Sequence, residues 1–466
     1  MSWFRSISDE GKRSTASLFL GAAILFGGAS HPDILSHLIL QLIGLLVLAV
    51  ALLRTGLRTL TPIQWTLISL ALTFAIWTLF QLLPLPEEIW ETLPGRGAVS
   101  DGSQLLGIAT PTDFAVSMVP ERTLLAGMGL VPPLAAFVWV SRCGWTRAVL
   151  NLQWAIPICG AGSTALGLAQ VFAGPTSLLY FYQHTSPDLP VGVFSNVNHQ
   201  AALCLMSLPF VFALAAGLRR DAQAGEANMA KAILIAVLAF ANIVGVIGAG
   251  SVAGYFILVP VLLLSVIMFA SAGSKVGNVA GIGGLSAVLL SSIIIVGFSP
   301  VLDNFGTDPF EQAETSRYGI WERSRDIALD HVWAGSGLGT FRRVYVLYED
   351  PDLITSKYVN HAHNDYLQVS IESGIPGLLN LSIAVLIYLF KAGQVWMAKT
   401  SSEVRLKRAA TISLMVPLLH SVVDYPLRTP ALAVLAAVCL AIVVTPRRSF
   451  GRSADTGAEN HKRITL

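Results

Sequence analysis

His361-Ala-His363-Asn364-Asp365-Tyr366-Leu-Gln368-Val-Ser-Ile-Glu372-Ser-Gly374-Ile-Pro376-Gly377 runs directly into Leu378-Leu-Asn-Leu-Ser-Ile-Ala-Val-Leu-Ile-Tyr-Leu-Phe390. The first stretch is polar and carries two histidines and two carboxylates. The second is an apolar run of the kind that crosses a bilayer. Gly374-Ile-Pro376-Gly377 marks a break between them, because glycine and proline interrupt a regular helix. In a chain otherwise poor in charge, this concentration of reactive side chains is where a function is to be sought.

Composition sets the class. Of 466 residues, 54% are hydrophobic and 12% charged, and the mean hydropathy is +0.65. Soluble domains carry about a quarter charged residues, so the chain reads as an all-α polytopic membrane protein. The net charge of +2 points to no partner, and no nucleic acid is expected. Cys143, Cys159, Cys204 and Cys439 lie in or beside apolar runs, which suggests neither a disulfide framework nor a metal site. The run Thr15–Ala29 resembles a signal-peptide core, but no small-x-small cleavage site precedes a soluble domain, and a first span is the simpler reading.

Hydropathy gives about twelve transmembrane helices, each near the roughly 20 residues that a bilayer requires. They fall near 15–31, 34–53, 63–83, 121–141, 148–172, 199–218, 231–248, 251–271, 279–298, 375–392, 409–424 and 429–445. With the N-terminus cytoplasmic, 21 of the 30 basic residues lie on the cytoplasmic side, as the positive-inside rule requires. Both termini are then cytoplasmic. The expected organisation is a nine-helix bundle over 1–298, a large outer loop over 299–374, C-terminal spans over 375–446 and a cytoplasmic tail over 447–466. Two smaller outer loops cover 84–120 and 173–198.

The large loop holds six basic residues, twelve carboxylates and three histidines, so it is net acidic and its cations must be weighed singly. From Ser316 to His331, Ile320, Trp321, Ile327, Ala328 and Val332 recur at helical spacing, while Glu322, Arg323, Asp326 and Asp330 take the other face. Such an amphipathic helix is expected to lie along the membrane surface. Arg317, one turn before Trp321, would stand at its lipid-facing edge, either on a phosphate or simply snorkelling to the interface. Gly335-Ser-Gly337-Leu-Gly339-Thr-Phe341 follows a helix rather than a strand, so it reads as a tight connection rather than a nucleotide loop. Asp350-Pro-Asp352 reads as an exposed acidic turn, not a metal site.

His361 and His363 lack the accompanying ligands of a metal site. His363 precedes a helical segment on which Asn364, Gln368 and Glu372 share one side, and neutral imidazole can take a proton from a hydroxyl. Asp424 and Arg428 flank Tyr425-Pro426 at a helix end, as a mutual surface pair, as a helix-terminus stop or in contact with an acceptor. His199 and His420 sit near span ends, where ionisable groups are functional candidates, although packing roles are common.

Together these residues resemble the O-antigen ligase and polymerase superfamily of bacterial membrane glycosyltransferases. The resemblance rests first on His363-Asn364-Asp365-Tyr366-Leu-Gln368, with Glu372, Gly374 and Gly377. It extends to Gly192-Val-Phe194-Ser-Asn196-Val-Asn198-His199, to Arg317-Tyr-Gly-Ile-Trp321 with the Gly335–Phe341 stretch, and to His420-Ser-x-x-Asp424-Tyr-Pro426, covering roughly residues 190–430. It implies a GT-C-like helical fold with a large periplasmic loop in the bacterial cytoplasmic membrane. It also implies a cofactor-free, metal-independent, inverting transfer. The donor would be an oligosaccharide on undecaprenyl diphosphate, and the acceptor a glycan, lipid A-core or protein. By the same resemblance His363 is the base and Arg317 holds the diphosphate, with Asn364, Tyr366, Gln368, Trp321, Asn198 and Asp424 in support. Where many members carry Ser-Arg before the large loop, this chain has Ser251-Val252, one cation fewer. A small-anion (bicarbonate-like) transporter and a non-catalytic partner in polysaccharide assembly are the alternative functions. The spans lack the carboxylates and paired repeats that ion coupling would need.

Overall fold

The structure is a computed structural model that describes all residues except 1, 32–33, 55–58, 108–114, 146, 184, 227, 271–316, 350–357 and 447–466. Among the described residues it is helical, with one isolated bridge between Pro84 and Ala115 in place of a sheet. In chain order the helices are α1 (Ser2–Phe26), α2 (Leu35–Leu53), α3 (Pro62–Phe80), α4 (Glu87–Trp90) and α5 (Arg96–Leu106). Then come α6 (Pro120–Met128), α7 (Val131–Cys143), α8 (Arg147–Ala173), α9 (Val197–Gln223), α10 (Met229–Gly248) and α11 (Val252–Ala270). The rest are α12 (Arg317–Asp330), α13 (Phe341–Val346), α14 (Asp365–Met397), α15 (Ser402–His420), a 3-10 turn (Pro426–Arg428) and α16 (Pro430–Val444).

Among the described residues, eight helices are long and apolar enough to cross a membrane, α6 and α7 counting as one unit. The expectation of twelve was more generous. Ser14–Phe26 and α16 are apolar but shorter. α15 opens with Glu403, Arg405, Lys407 and Arg408 within its first two turns, too many charges for hydrocarbon. The expected span 279–298 and the tail 447–466 lie outside the described residues.

α9 is the axis of the bundle. It packs against α8, α10, α11 and α15, and α16 closes on α7, α15 and α1. Lipid gives apolar helices no reason to prefer one another, so the contacts use small and polar residues. Gly245 leaves room for Thr164 and Cys204, and Asn242 donates to the carbonyls of Pro157 and Leu238 at 3.1 and 2.8 Å. At the far end of α14, Arg408 reaches the free carbonyls of Trp396 and Ala398 at 3.1 and 2.9 Å, which caps the negative end of that helix.

A second, smaller core lies at the loop end of the bundle. Ile320, Ile327 and Ala328 of α12 are buried with Phe341, Val344 and Tyr345 of α13 and with Ile371 of α14. This corrects the expectation that α12 lies on the membrane: its apolar face is covered by the protein itself. Helical periodicity reports that a face is apolar, not what covers it. Arg323, expected on the wet face, has its guanidinium 5.8 Å from the centre of the Tyr345 ring.

The break expected at Gly374 is present. Gly374 has φ 59° and ψ −156° inside an otherwise helical run. A Cβ there would stand 2.7 Å from the Val332 carbonyl oxygen, so both conformation and space demand glycine. The Gly335–Gly339 loop docks against this break. Ser336 N–H donates to Ile371 O at 2.8 Å, and Ile375 N–H donates to Val332 O at 2.7 Å. Gln81 at the end of α3 donates to Ala334 O and Glu372 O at 2.9 and 2.8 Å. The glycine-rich stretch is thus a structural connection, as its sequence setting suggests.

Candidate active site at the loop end of the bundle

His363 sits on the turn that leads into α14, with φ 48°, a left-handed conformation uncommon for a residue with a side chain. The turn is held on three sides. Asn364 caps α14, its side-chain oxygen accepting from Leu367 N–H at 3.0 Å. Asp365 N–H donates to Ser421 O at 2.9 Å. Trp321 of α12 donates its indole N–H to His363 O at 3.3 Å. Strain of this kind persists where surrounding contacts over-determine it.

The imidazole faces Asp424. His363 Nδ1 lies 3.2 Å from Asp424 Oδ1, and Asn198 of α9 donates to Asp424 Oδ2 at 2.6 Å. Asp424 is fully buried, whereas the His363 side chain is 23% exposed. Burial by itself would raise the Asp424 carboxyl. The His363 hydrogen bond and the neighbouring His199, His363 and His420 instead carry it below the usual carboxylate range. An ionised Asp424 keeps the ring proton on Nδ1 and leaves Nε2 as the lone pair facing outward. That is the arrangement of a carboxylate-oriented general base.

The Tyr425 ring packs against three histidines. Its ring centre is 4.1 Å from that of His361, 4.9 Å from His363 and 5.2 Å from His199. His361 lies near Gln368 Nε2 at 3.2 Å, while Ala362 N–H donates to Gln368 Oε1 at 3.1 Å. Burial, then the charges of Arg428 and His363, holds the His361 imidazole well below its usual value, so it stays neutral.

Of the residues expected at the site, the structure gathers His363, Asp424, Asn198 and Trp321 around one turn. Arg317, one helical turn before Trp321, is exposed and close enough to His420 to act on its charge. Asn364 and Gln368 serve the turn itself, as cap and brace. Tyr366 donates its hydroxyl to Leu418 O at 2.7 Å, tying α14 to α15. The expected pairing of Asp424 with Arg428 as a surface pair is overturned. Arg428 Nε and Nη1 reach Asp365 Oδ1 at 3.1 Å and Glu372 Oε2 at 2.9 Å, and both carboxylates are buried. Sequence reading left this triad out of the site. The available signal was two carboxylates seven residues apart, which two helical turns bring to one face.

Val252 opens α11, and the neighbouring Gly254 packs against Ala201 in the first turns of α9, next to Asn198. The position at which many members of the resembled superfamily carry arginine is therefore at the same end of the bundle as His363.

The fold is a helical bundle with helices long and apolar enough to cross a membrane, and a carboxylate-held histidine lies at one end of it. Residues 234–382 match the O-antigen ligase family, a match over about a third of the chain that supports the resemblance to the O-antigen ligase superfamily. Arg317, Trp321, His363 and Glu372 lie inside the matched segment; Asn198, Asp424 and Arg428 are brought to them from outside it. No curated protein matches the chain.

Proposed function

We propose that the protein transfers an undecaprenyl-diphosphate-linked glycan to an acceptor hydroxyl at the periplasmic face of the bacterial cytoplasmic membrane. The reading puts residues 299–374 in the periplasm and both termini in the cytoplasm, as the distribution of basic residues supports. One observation carries the chemistry: the buried Asp424 oriented on His363 Nδ1, with α12 and its Arg317 tied to the same turn through Trp321.

In this reaction the acceptor oxygen attacks the anomeric carbon and its proton passes to His363 Nε2. The bond from that carbon to the diphosphate oxygen breaks, and the electron pair leaves with the diphosphate. Attack opposite the leaving group inverts the anomeric centre. Arg317 meets the charge that develops on the leaving oxygen, where a guanidinium binds more strongly in the transition state than in the ground state. By the family resemblance no metal ion takes part.

The test is transfer by purified protein from a lipid-linked donor. His363→Ala is expected to insert and fold normally while losing product, and wild-type yield from that variant removes His363 as the base. A second reading, a non-catalytic partner in polysaccharide assembly, is favoured by Val252 in the place of an arginine. Failure of the wild-type protein to transfer, together with restored transfer in Val252→Arg, would decide for it.

A further inference from the structure

His363 and Asp424 stand on two separate stretches of chain, 361–365 and 421–428, and Asp365 ties these stretches together. Its carboxylate is gripped from both flanks of Asp424. Ser421 Oγ, three residues before Asp424, donates to Asp365 Oδ2 at 2.9 Å. Arg428 Nε, four residues after Asp424, donates to Asp365 Oδ1 at 3.1 Å. The Asp365 backbone N–H adds a bond to Ser421 O at 2.9 Å. His363 lies two residues before Asp365, so a slip of this grip moves the imidazole past the carboxylate that orients it.

The same guanidinium also reaches the other side of the turn. Arg428 Nη1 donates to Glu372 Oε2 at 2.9 Å. Glu372 Oε1 accepts from Gln368 Nε2 at 2.9 Å and from the Phe341 N–H at 3.3 Å. Gln368 Oε1 in turn accepts from the Ala362 N–H at 3.1 Å, directly before His363. Two routes therefore run from Arg428 to the turn, one ending just after His363 and one just before it. The positive φ of His363 is the strained feature that this closed ring holds in place.

Chemistry explains why an arginine stands at the junction. A guanidinium has donors on two sides and spans both carboxylates, which a lysine, as a single point of charge, does not. Asp365 and Glu372 are both buried, and one guanidinium neutralises only one of them. Neutral donors from Ser421, Gln368 and the Phe341 N–H support the second negative charge. Burying such a cluster carries a desolvation penalty, and a neutral set of the same shape is often as stable. Stability alone does not call for it. We propose that Arg428 is a positioning residue for the base: through Asp365 and Glu372 it locks the His363 turn in register with Asp424. The inference rests on the proposed transfer reaction, in which His363 Nε2 takes the acceptor proton.

The experiment uses the full-length protein and a neutral variant combining Asp365→Asn, Glu372→Gln and Arg428→Met. No buried charge is left unpaired in it, so its melting temperature is expected to stay near that of wild type. Transfer from an undecaprenyl-diphosphate-linked oligosaccharide is expected to fall about tenfold or more in kcat with KM little changed, as for a base displaced by a fraction of an ångström. A second readout needs no substrate. Hydrogen exchange, followed by mass spectrometry, should quicken at the Ala362 and Asp365 amides and stay as in wild type along α9. Arg428→Lys keeps the charge without the fork and should show the same two changes to a smaller degree; it carries the test if the neutral variant does not fold. Wild-type kcat in the neutral variant overturns the proposal, and so does unchanged exchange at the two amides. Wild-type transfer by His363→Ala would instead remove the functional reading, while the exchange pattern would still decide whether Arg428 holds the turn.

Discussion

At the scale of single residues the argument turns on Asp424. It accepts from Asn198 and from the Tyr425 backbone N–H at 3.0 Å while facing His363, so its two oxygens are committed to the proteins's own groups. Asp424→Asn keeps the shape but can present an amide N–H to Nδ1. That would move the ring proton to Nε2 and fill the lone pair needed for the base. Transfer is expected to fall by roughly 100-fold or more, with the melting temperature little changed. Activity near wild type would mean that Asp424 serves packing rather than the tautomer. Arg317 gives the companion test. Arg317→Lys keeps the charge but not the fork, and is expected to lose about 1.5–3 kcal/mol of transition-state binding, on the order of 10- to 100-fold in rate. Arg323→Ala gives up its place over Tyr345, about 0.5–1 kcal/mol of stability, and should leave transfer intact. Full activity in Arg317→Lys, with a dead Arg323→Ala, would reverse the assignment of faces on α12.

At the scale of elements, the site depends on α12 and the Gly335–Gly339 loop being pressed onto the break in α14. Ile327 is fully buried in the small core, and Ile327→Ala is expected to destabilise by about 2–4 kcal/mol. Gly374→Ala adds a Cβ against Val332 O at a positive φ, for about 1–3 kcal/mol. Both should lower the melting temperature and transfer together, and an unchanged melting temperature in both would show that this end of the molecule does not depend on the contact. The break itself was legible because Gly-Ile-Pro-Gly is local chemistry. So was the connecting role of the glycine-rich stretch, whereas Asn364, read from sequence as part of a polar helix side, is the cap of α14. The cover on α12 was not, since a face that suits lipid equally suits Phe341 and Tyr345. The partners of Arg428 were hidden for a related reason. Asp424 is its neighbour in sequence, whereas Asp365 and Glu372 reach it through the packing of α14 against the 3-10 turn. Pairing across 56 or 63 residues leaves no periodic trace.

At the scale of the whole molecule, the loop end joins parts of the chain that are far apart, and its buried titratable groups set how the protein answers to acid. The His361 imidazole is held below its usual value by burial, Arg428 and His363. His331 is lowered to about 4, by burial first and then by Arg96. In the unfolded chain both histidines take up protons near pH 6.5; in the folded protein they do not. At these two histidines the unfolded state therefore binds more protons as pH falls below about 6.5, and their contribution to stability falls with it. Asp424 works in a different window. Its depressed carboxyl contributes stability that is present above its unfolded value near 3.9 and is lost only below it. Between pH 6.5 and pH 4.5 the histidines thus act without interference from Asp424. The melting temperature of the purified protein is expected to drop across that interval. His361→Gln, which removes one proton-binding group while keeping a polar side chain beside Gln368, should make the drop shallower without abolishing it, because His331 remains. Identical slopes for the two proteins would mean that His361 is open to water and free to protonate in the folded state. The turn that carries His363 would then be looser than its contacts with Asp365, Trp321 and Gln368 make it.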